Sequence, residues 1–434
     1  MIKEVKISNF KSIEEIKIKL NKLNLFCGEN GSGKTTILHA LLIATQKHHN
    51  DWNFDGDVIK IGDLAELKNY NKDAAIEIEV SSEKDTKKIM LKRNDKIEDD
   101  NKDILIIEPS NCDFVNFDEQ IFYLSSNRTG VMEIYGKGNY TFGTHGESAI
   151  SFLSEHREKL LPEKYITSFK KEFKGSLIKE NRKFLEHVRF WLEYITDEKI
   201  NIDSVSFTNQ YVLTFGYSNK IRPINTGSGY SYILPIVISC LGSLFLHDNP
   251  TIIIENPEIY LHPEAQFKLS DFFVFVSKYV QLIIETHSEH ILKRIMEGRD
   301  GHHQVLVFSK ENDKTTIKRL TGKEFKTKPI AYPEVLYKAF NIPSIELHII
   351  LFSLLQQKCG KTTIYGVDKW LVDNFPKVPK KIRNWSGQRT QTTTLMAFIR
   401  NTTDHPEAKK ANGRKFKYTE KELRRSVEFM LDKI

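Results

Sequence analysis

Residues 28–35 read Gly28-Glu29-Asn30-Gly31-Ser32-Gly33-Lys34-Thr35, a complete G-x-x-x-x-G-K-[ST] pattern, with Thr36 following. The pattern stands directly after the strand-like run LNLFC and directly before the helix-like run TTILHALLIA. Strand, loop and helix in that order give it its chemistry. Glycines let the chain curl until backbone N–H groups converge on one anion, and the next helix adds the positive end of its dipole. In such a loop Gly28, Asn30, Gly31, Ser32, Gly33 and Thr36 line the phosphates of a nucleoside triphosphate. Lys34 neutralises its β and γ oxygens, and the Thr35 hydroxyl ligates Mg2+. ATP and Mg2+ are the expected cofactors.

A loop of this kind works with a carboxylate at the end of a second buried strand, and Ile252-Ile253-Ile254-Glu255 supplies one. Thr35 and Glu255 are therefore the expected metal-side residues. Such sites commonly place a water-polarising glutamate next, but here the residue is Asn256, an amide that cannot take a proton. Either Glu258 or His287 acts as base, or turnover is slow and the nucleotide serves mainly as a conformational switch. A glycine turn, Asn225-Thr226-Gly227-Ser228-Gly229-Tyr230-Ser231, opens the apolar helix YILPIVISCLGSLFL, where free N–H groups suit an anion. Glu285-Thr286-His287-Ser288-Glu289-His290 closes the strand-like QLII. Its histidines lack the H-E-x-x-H or cysteine partners of a zinc site, so we read His287 as a hydrogen-bonding group near the terminal phosphate.

The 434 residues, 40% hydrophobic and 28% charged, exclude a disordered or collagen-like chain and exceed one ordinary domain. Four scattered cysteines form no C-x-x-C pair, which fits a reducing compartment. MIKEVKISNF lacks the apolar core of a signal peptide, and the longest apolar run is broken by Pro235, Ser239, Gly242 and Ser243. The expectation is a cytoplasmic protein with no membrane contact. Charge is uneven: residues 358–434 hold 18 Lys+Arg against 8 Asp+Glu, while the rest hold 46 against 49. A local positive field of that size suits DNA, RNA or an acidic protein surface.

Strand-like runs fill the first third, residues 150–200 carry apolar residues at helical spacing, and short apolar runs then alternate with helices. That alternation is the pattern of an α/β sheet buried on both faces. After Tyr332-Pro333 the strand signal stops, and the remainder reads as helices joined by a basic linker, PKVPKKIRNWSGQ. The expected division is a head over residues 1–330, with a helical insertion at about 150–200, and a basic helical domain over residues 331–434.

Taken in this order, the four motifs resemble those of the ABC/SMC-like ATPases. GENGSGKTT is similar to their Walker A, NTGSGYS to their signature motif, IIIENPEIYLHPEAQ to their Walker B with the D-loop region, and IIETHSEHIL to their switch-histidine segment. Within that superfamily the chain is most similar to the OLD/RecF-like (AAA15/AAA21-type) ATPases of bacterial anti-phage systems, including the PtuA ATPases of Septu. FYLSSNRTG and FGTHGES also resemble segments of such ATPases. The resemblance implies an ABC/SMC-type P-loop head with a mixed sheet. It implies a homodimer, or a multiple of dimers, in which Gly227, Gly229 and Ser231 of one copy cap the γ-phosphate on the other. It also implies a partner HNH nuclease controlled by the heads. Two positions depart from the pattern: Asn256 stands for the usual glutamate, and Tyr232 follows Ser231 where relatives often carry Gln. Gln120 is the candidate for a Q-loop residue.

In the last domain, Arg400-Asn401-Thr402-Thr403-Asp404-His405 resembles the R-x(4 to 6)-H motif of HEPN ribonucleases. There Arg400 would steady a scissile phosphate and His405 would take part in proton transfer. The bland alternative is a helix end in a domain that docks a partner. A third reading is a RecF-like DNA-repair ATPase. All three require nucleotide in the glycine loop. Lys34→Ala should therefore abolish binding of a fluorescent ATP analogue in Mg2+ buffer.

Overall fold

Alternating apolar residues in the first positions fold as β1 (Ile2–Phe10) and β2 (Ile13–Lys19), an antiparallel pair whose inward residues, including Val5, Ile7 and Ile13, are fully buried. The computed structural model describes residues 1–46, 56, 58–60, 67, 74–83, 86–93, 103–109, 121–128, 134–135, 142–174, 181–197, 199–205, 210–215, 228–297, 303–383, 391–406 and 417–434. Leu23–Gly28 forms β3 and Lys34–Thr45 forms α1, so the glycine loop joins a strand to a helix. Next come β4 (Ile76–Ser82), β5 (Thr86–Arg93), β6 (Asp103–Pro109), β7 (Ile121–Leu124) and the short β8 (Ile134–Tyr135). Helices α2 (Ala149–His156), α3 (Glu163–Glu172) and α4 (Phe184–Thr196) follow, then β9 (Ile200–Val205) and β10 (Gln210–Phe215). The unit is completed by α5 (Ser228–Leu246), β11 (Thr251–Glu255), α6 (Pro263–Val276), β12 (Gln281–Glu285), α7 (Glu289–Glu297), β13 (His303–Glu311) and β14 (Lys314–Leu320).

Among the described residues these strands form three sheets, the smallest antiparallel in the order β8-β10-β9, and the two larger ones position the glycine loop. One is antiparallel, in the order β2-β1-β4-β5-β6. The other is mixed, in the order β14-β13-β3-β12-β11-β7, parallel from β13 to β7 with an antiparallel β14 at the edge. Its central strands β3, β11 and β12 are buried along their whole length, as expected where both faces are covered. Helix α1 shares one hydrophobic cluster with both sheets, through Ile37, Leu38 and Leu41 with Ile78 and Ile89 on one side and Ile253 and Ile283 on the other. This is the α/β head with a mixed sheet that the motif order implied.

The helices over residues 149–196 bury an aromatic cluster around Trp191, with Phe272, Phe275 and Phe173 at ring separations of 5.0, 5.4 and 5.1 Å. Inside it runs a hydrogen-bond chain. Trp191 Nε1 donates to the Tyr165 hydroxyl (2.9 Å), Tyr165 lies 3.3 Å from His187 Nδ1, and His187 Nε2 lies 2.8 Å from the Asn181 carbonyl. The chain closes only if Nε2 carries the proton and Nδ1 accepts, so His187 is neutral.

The second compact unit spans Thr321–Ile434 and the first Met1–Leu320. Residues past 320 go with the helical unit because buried Glu334 accepts from the backbone N of Lys326 and Thr327 (2.7 and 2.8 Å) and from the Thr327 hydroxyl (2.7 Å). The unit holds α8 (Tyr332–Phe340), α9 (Ile345–Cys359), α10 (Ile364–Asn374), β15 (Lys380–Arg383), β16 (Gln391–Thr394), α11 (Leu395–Asp404) and α12 (Glu420–Lys433). Its core joins Leu351, Phe352, Leu371, Phe398, Val427 and Met430. Ser344, Thr363 and Thr394 cap α9, α10 and α11, and Thr419 with Glu422 forms a capping box on α12. The strand signal therefore does not stop at Tyr332. Part of the basic linker is β15, paired antiparallel with β16. Four-residue strands with an exposed Ile382 carry too little alternation to show in the sequence. Among the described residues no single helix is long and apolar enough to cross a membrane.

Both His187 and His348 are fully buried; burial pushes His187 down to about 4 and His348, beside Arg400, down to about 3. The unfolded chain binds the proton first, so their contribution is intact above the ordinary histidine value, near 6.5, and is lost as pH falls below it. Each imidazole should cost about 2 kcal/mol of stability at pH 5 relative to pH 7.5. Thermal melts across that range should show the loss, and His187→Gln should flatten the curve while lowering stability at pH 7.5.

Candidate functional site

The parallel register sets three strand ends side by side. Phe26 pairs with Glu285, and Glu285 with Glu255, so β12 lies between the glycine-loop strand and the strand of Glu255. The loop itself is shaped by contacts that only glycine permits. Gly28 has φ +133°, and a Cβ there would lie 2.1 Å from the Phe308 carbonyl of β13. Gly33, at φ +101°, would place a Cβ 2.3 Å from the Thr315 hydroxyl. Glu29, Asn30 and Gly31 are exposed at the tip, while Thr35 and Thr36 sit half-buried on the first turn of α1.

Lys34 is buried, 3% exposed, with its ammonium turned back into the loop. It donates to the carbonyls of Gly28 (3.1 Å) and Glu29 (2.9 Å) and stands 4.0 Å from a Glu285 carboxylate oxygen. Burial pulls its pKa down and Glu285 pulls it back. Ser32, also buried, has an Oγ with no hydrogen-bond partner. A buried ammonium, an orphaned hydroxyl and the open N–H end of a helix are donors gathered at one point. The donor set fits a phosphate chain.

The Thr35 hydroxyl goes to Glu285, 2.9 and 3.1 Å from its two oxygens. The sequence reading paired Thr35 with Glu255, but the structure puts Glu285 next to the loop. Burial raises Glu285 to about 7, with Thr35 and Lys34 pulling down and the Glu255 and Glu258 charges pushing up. Glu255 is held elsewhere: its oxygens accept from the Tyr123 hydroxyl (2.8 Å) and the Ser126 backbone N (3.1 Å). Burial and Glu255 raise the Tyr123 hydroxyl, so it remains a donor.

Arg128 also escaped the sequence reading. It is 2% exposed, and its guanidinium donates to the carbonyls of Ser125 (2.9 Å), Glu255 (2.7 Å) and Asn256 (2.8 Å). Burial lowers it to about 10, against Glu258 and Glu255, so it stays charged at neutral pH. Asn256 adopts φ +42°, a left-handed conformation that asparagine tolerates, and its backbone N donates to the Glu285 carbonyl (2.8 Å). Its side-chain oxygen is buried without a partner. Glu258 accepts from the Thr286 hydroxyl (2.9 Å) and the His287 backbone N (2.6 Å), joining the turn after β11 to the turn after β12. Burial raises Glu258, whereas burial and the Lys34 charge lower the exposed His287.

Of the glycine turn, Gly227 lies outside the described residues, as does Gln120. Gly229 opens α5 so close to the next turn that a Cβ would meet the Tyr260 carbonyl at 2.7 Å; Ser231 lies in the same helix. The Tyr232 ring lies tilted against Tyr260 (4.8 Å between centroids) and under the Arg128 guanidinium (5.8 Å). Among the described residues, no three His, Cys, Asp or Glu side chains gather as a metal-ligand set. In the second unit Arg400 is ion-paired with Asp404, and His405 is exposed at the end of α11.

The DNA replication and repair protein RecF of Clostridium novyi (strain NT) is 33% identical over 92 residues, which are 21% of this chain and 23% of RecF. The chain thus spans about a quarter of that relative. Among solved structures, an Smc head bound to the C-winged helix domain of ScpA aligns with 74% of this chain and 99% of its own, at 10% identity and TM-score 0.48. The Smc head with an extended coiled coil, bound to the C-terminal domain of ScpA derived from Pyrococcus furiosus, aligns with 74% and 97%, at 11% identity and TM-score 0.47. The AAA ATPase domain family matches residues 1–161 and 147–292, which span both glycine turns, both acid strands and the histidine segment. The chain belongs to the AAA ATPase domain family.

Proposed function

We propose that this ATPase binds ATP with Mg2+, turns it over slowly, and uses nucleotide-driven pairing of two copies to control a partner nuclease in anti-phage defence. The observation that carries the reading is the buried Lys34 ammonium, held only by loop carbonyls and facing a carboxylate. A charge kept out of water at that cost needs an anion to meet it. Lys34, Ser32 and the first-turn N–H groups of α1 would hold the phosphates, with Thr35 and the nearby carboxylates on the metal side. Bound Mg2+ would supply charge neutralisation at the phosphate oxygens.

The residues around Asn256 support the proposal of slow turnover. An amide accepts no proton, and its left-handed backbone suits asparagine better than glutamate. Both oxygens of Glu258 are engaged in joining two turns, which suits a positioning role. Arg128 ties the carbonyls at the end of β11 to the turn after β7, so that Glu255 keeps its place. Glu258, linked to Thr286 and the backbone of His287, would carry a change at the phosphates toward the Gly229 turn, where a second copy is proposed to dock. The basic second unit suits an acidic surface of an HNH nuclease, or nucleic acid.

The RecF match favours a second reading, a DNA-repair ATPase. A HEPN-type ribonuclease is the third, with Arg400 and His405 as its proposed catalytic pair. Light scattering on the purified full chain tests the leading reading: ATP with Mg2+ should convert monomers to dimers, and Ser231→Arg should prevent it while leaving nucleotide binding intact. Hydrolysis should be slow in the same sample. A chain that stays monomeric with saturating ATP overturns the pairing. ATP-dependent binding to DNA ends selects the repair reading, and RNA cleavage lost in Arg400→Ala and His405→Ala selects the ribonuclease.

A further inference from the structure

Among the described residues, β2 is the last strand of the antiparallel sheet and β14 the last of the mixed sheet, and both line one groove of about 510 Å3. We infer that this groove docks an extended, acidic peptide segment of a partner protein as one further strand, a role separate from nucleotide binding.

Two bridges at the ends of the groove show which backbone groups face it. The Thr315 backbone N donates to the Ser12 carbonyl (2.9 Å), and Gln304 Nε2 donates to the Lys19 carbonyl (2.7 Å). In an antiparallel pair the N–H and C=O of one residue point to the same side of its strand, and the side alternates along the chain. Thr315 points away from β13, so Ile317 and Arg319 do so too. Lys19 points away from β1, and the regular register from Ile16 to Lys19 turns Lys17 the same way. Among the described residues, the outward backbone groups of Lys17, Ile317 and Arg319 have no hydrogen-bond partner. Such a row of donors and acceptors is a template for one more strand. From Ser12 to Lys19 the groove runs roughly 23 Å, the length of about seven extended residues.

Side chains decide what that strand carries. Ile16 and Ile317, half-buried on the core that both sheets share, give the groove an apolar lining together with Leu306. Its charged lining is Lys17, Lys19 and Arg319 against Glu15. Lys17 is paired with Glu4 (2.9 Å), whereas among the described residues Lys19 and Arg319 enter no ion pair. Both stand at the Gln304 end, since Arg319 is in register with Leu306 and Lys19 is bridged to Gln304. Cations on an edge turn away neutral and basic strands, and an acidic strand meets no such penalty. Nucleic acid fits less well, because phosphates supply no donor for the outward carbonyls of Lys17, Ile317 and Arg319.

Fluorescence anisotropy on the full chain, without nucleotide, tests the assignment with a fluorescein-labelled peptide of alternating valine and glutamate. That peptide should bind saturably, and its valine-lysine counterpart should not. Methylating alternate backbone nitrogens of the valine-glutamate peptide should weaken binding about tenfold or more, which marks strand addition rather than charge attraction alone. Lys19→Glu with Arg319→Glu should weaken it to a similar extent. Ile317→Pro should do the same, because the N–H it removes points into the groove and the ladder with β13 is spared. Each variant should still bind a fluorescent ATP analogue as wild type does, which separates loss of docking from loss of fold. The assignment is overturned if the valine-glutamate peptide does not bind, if the methylated peptide or the charge-reversed variant binds equally well, or if an oligothymidylate of similar length displaces the peptide. A chain that docks the peptide and ignores ATP leaves this surface standing while the proposed function falls.

Discussion

An ammonium group buried inside a curl of backbone is the constraint on which this head depends. Lys34 has little water around it, and its compensation consists of two carbonyls of its own loop and a carboxylate 4.0 Å away. Removing a charge from water is costly, and partial pairing leaves the arrangement poised for a stronger anion. The rest of the loop follows from that requirement. Gly28 must approach the backbone of β13, and Gly33 must pass the Thr315 hydroxyl, because a wider curl would let solvent reach the amine.

The neighbouring negative charges are arranged as deliberately. The charges of Glu255 and Glu258 raise the cost of ionising Glu285, and each of the three is separately restrained: Glu255 by Tyr123 and Ser126, Glu258 by Thr286 and His287, Glu285 by Thr35. Arg128 is the counter-charge common to the first two, and it also fixes the backbone at Asn256. Stability and chemistry therefore share residues here. A side chain that looks structural, such as Tyr123, sets the place of a carboxylate.

Much of this was legible in the sequence, and the gaps have physical reasons. The glycine loop was plain because strand, loop and helix each carried their own signal. TIIIE announced a buried strand ending in an acid, and QLIIE carried the same signal, yet the two histidines after it drew the reading toward imidazole chemistry and Glu285 was passed over. Which acid stands beside the loop depends on strand order, and strand order is not written in either segment. Arg128 sits in FYLSSNRTG, a segment noted only for its resemblance, because a lone arginine in a polar loop gives no sign that it is buried. The β15–β16 pair was hidden in a basic linker whose strands are four residues each.

Helix α1 has apolar contacts on both sides, with Ile37, Leu38 and Leu41 fully buried in a core shared by two sheets. A rod wedged in this way has no free face on which to slide or roll. Strain applied at its N-terminal tip therefore passes into a core that both sheets share, rather than being absorbed by the helix alone.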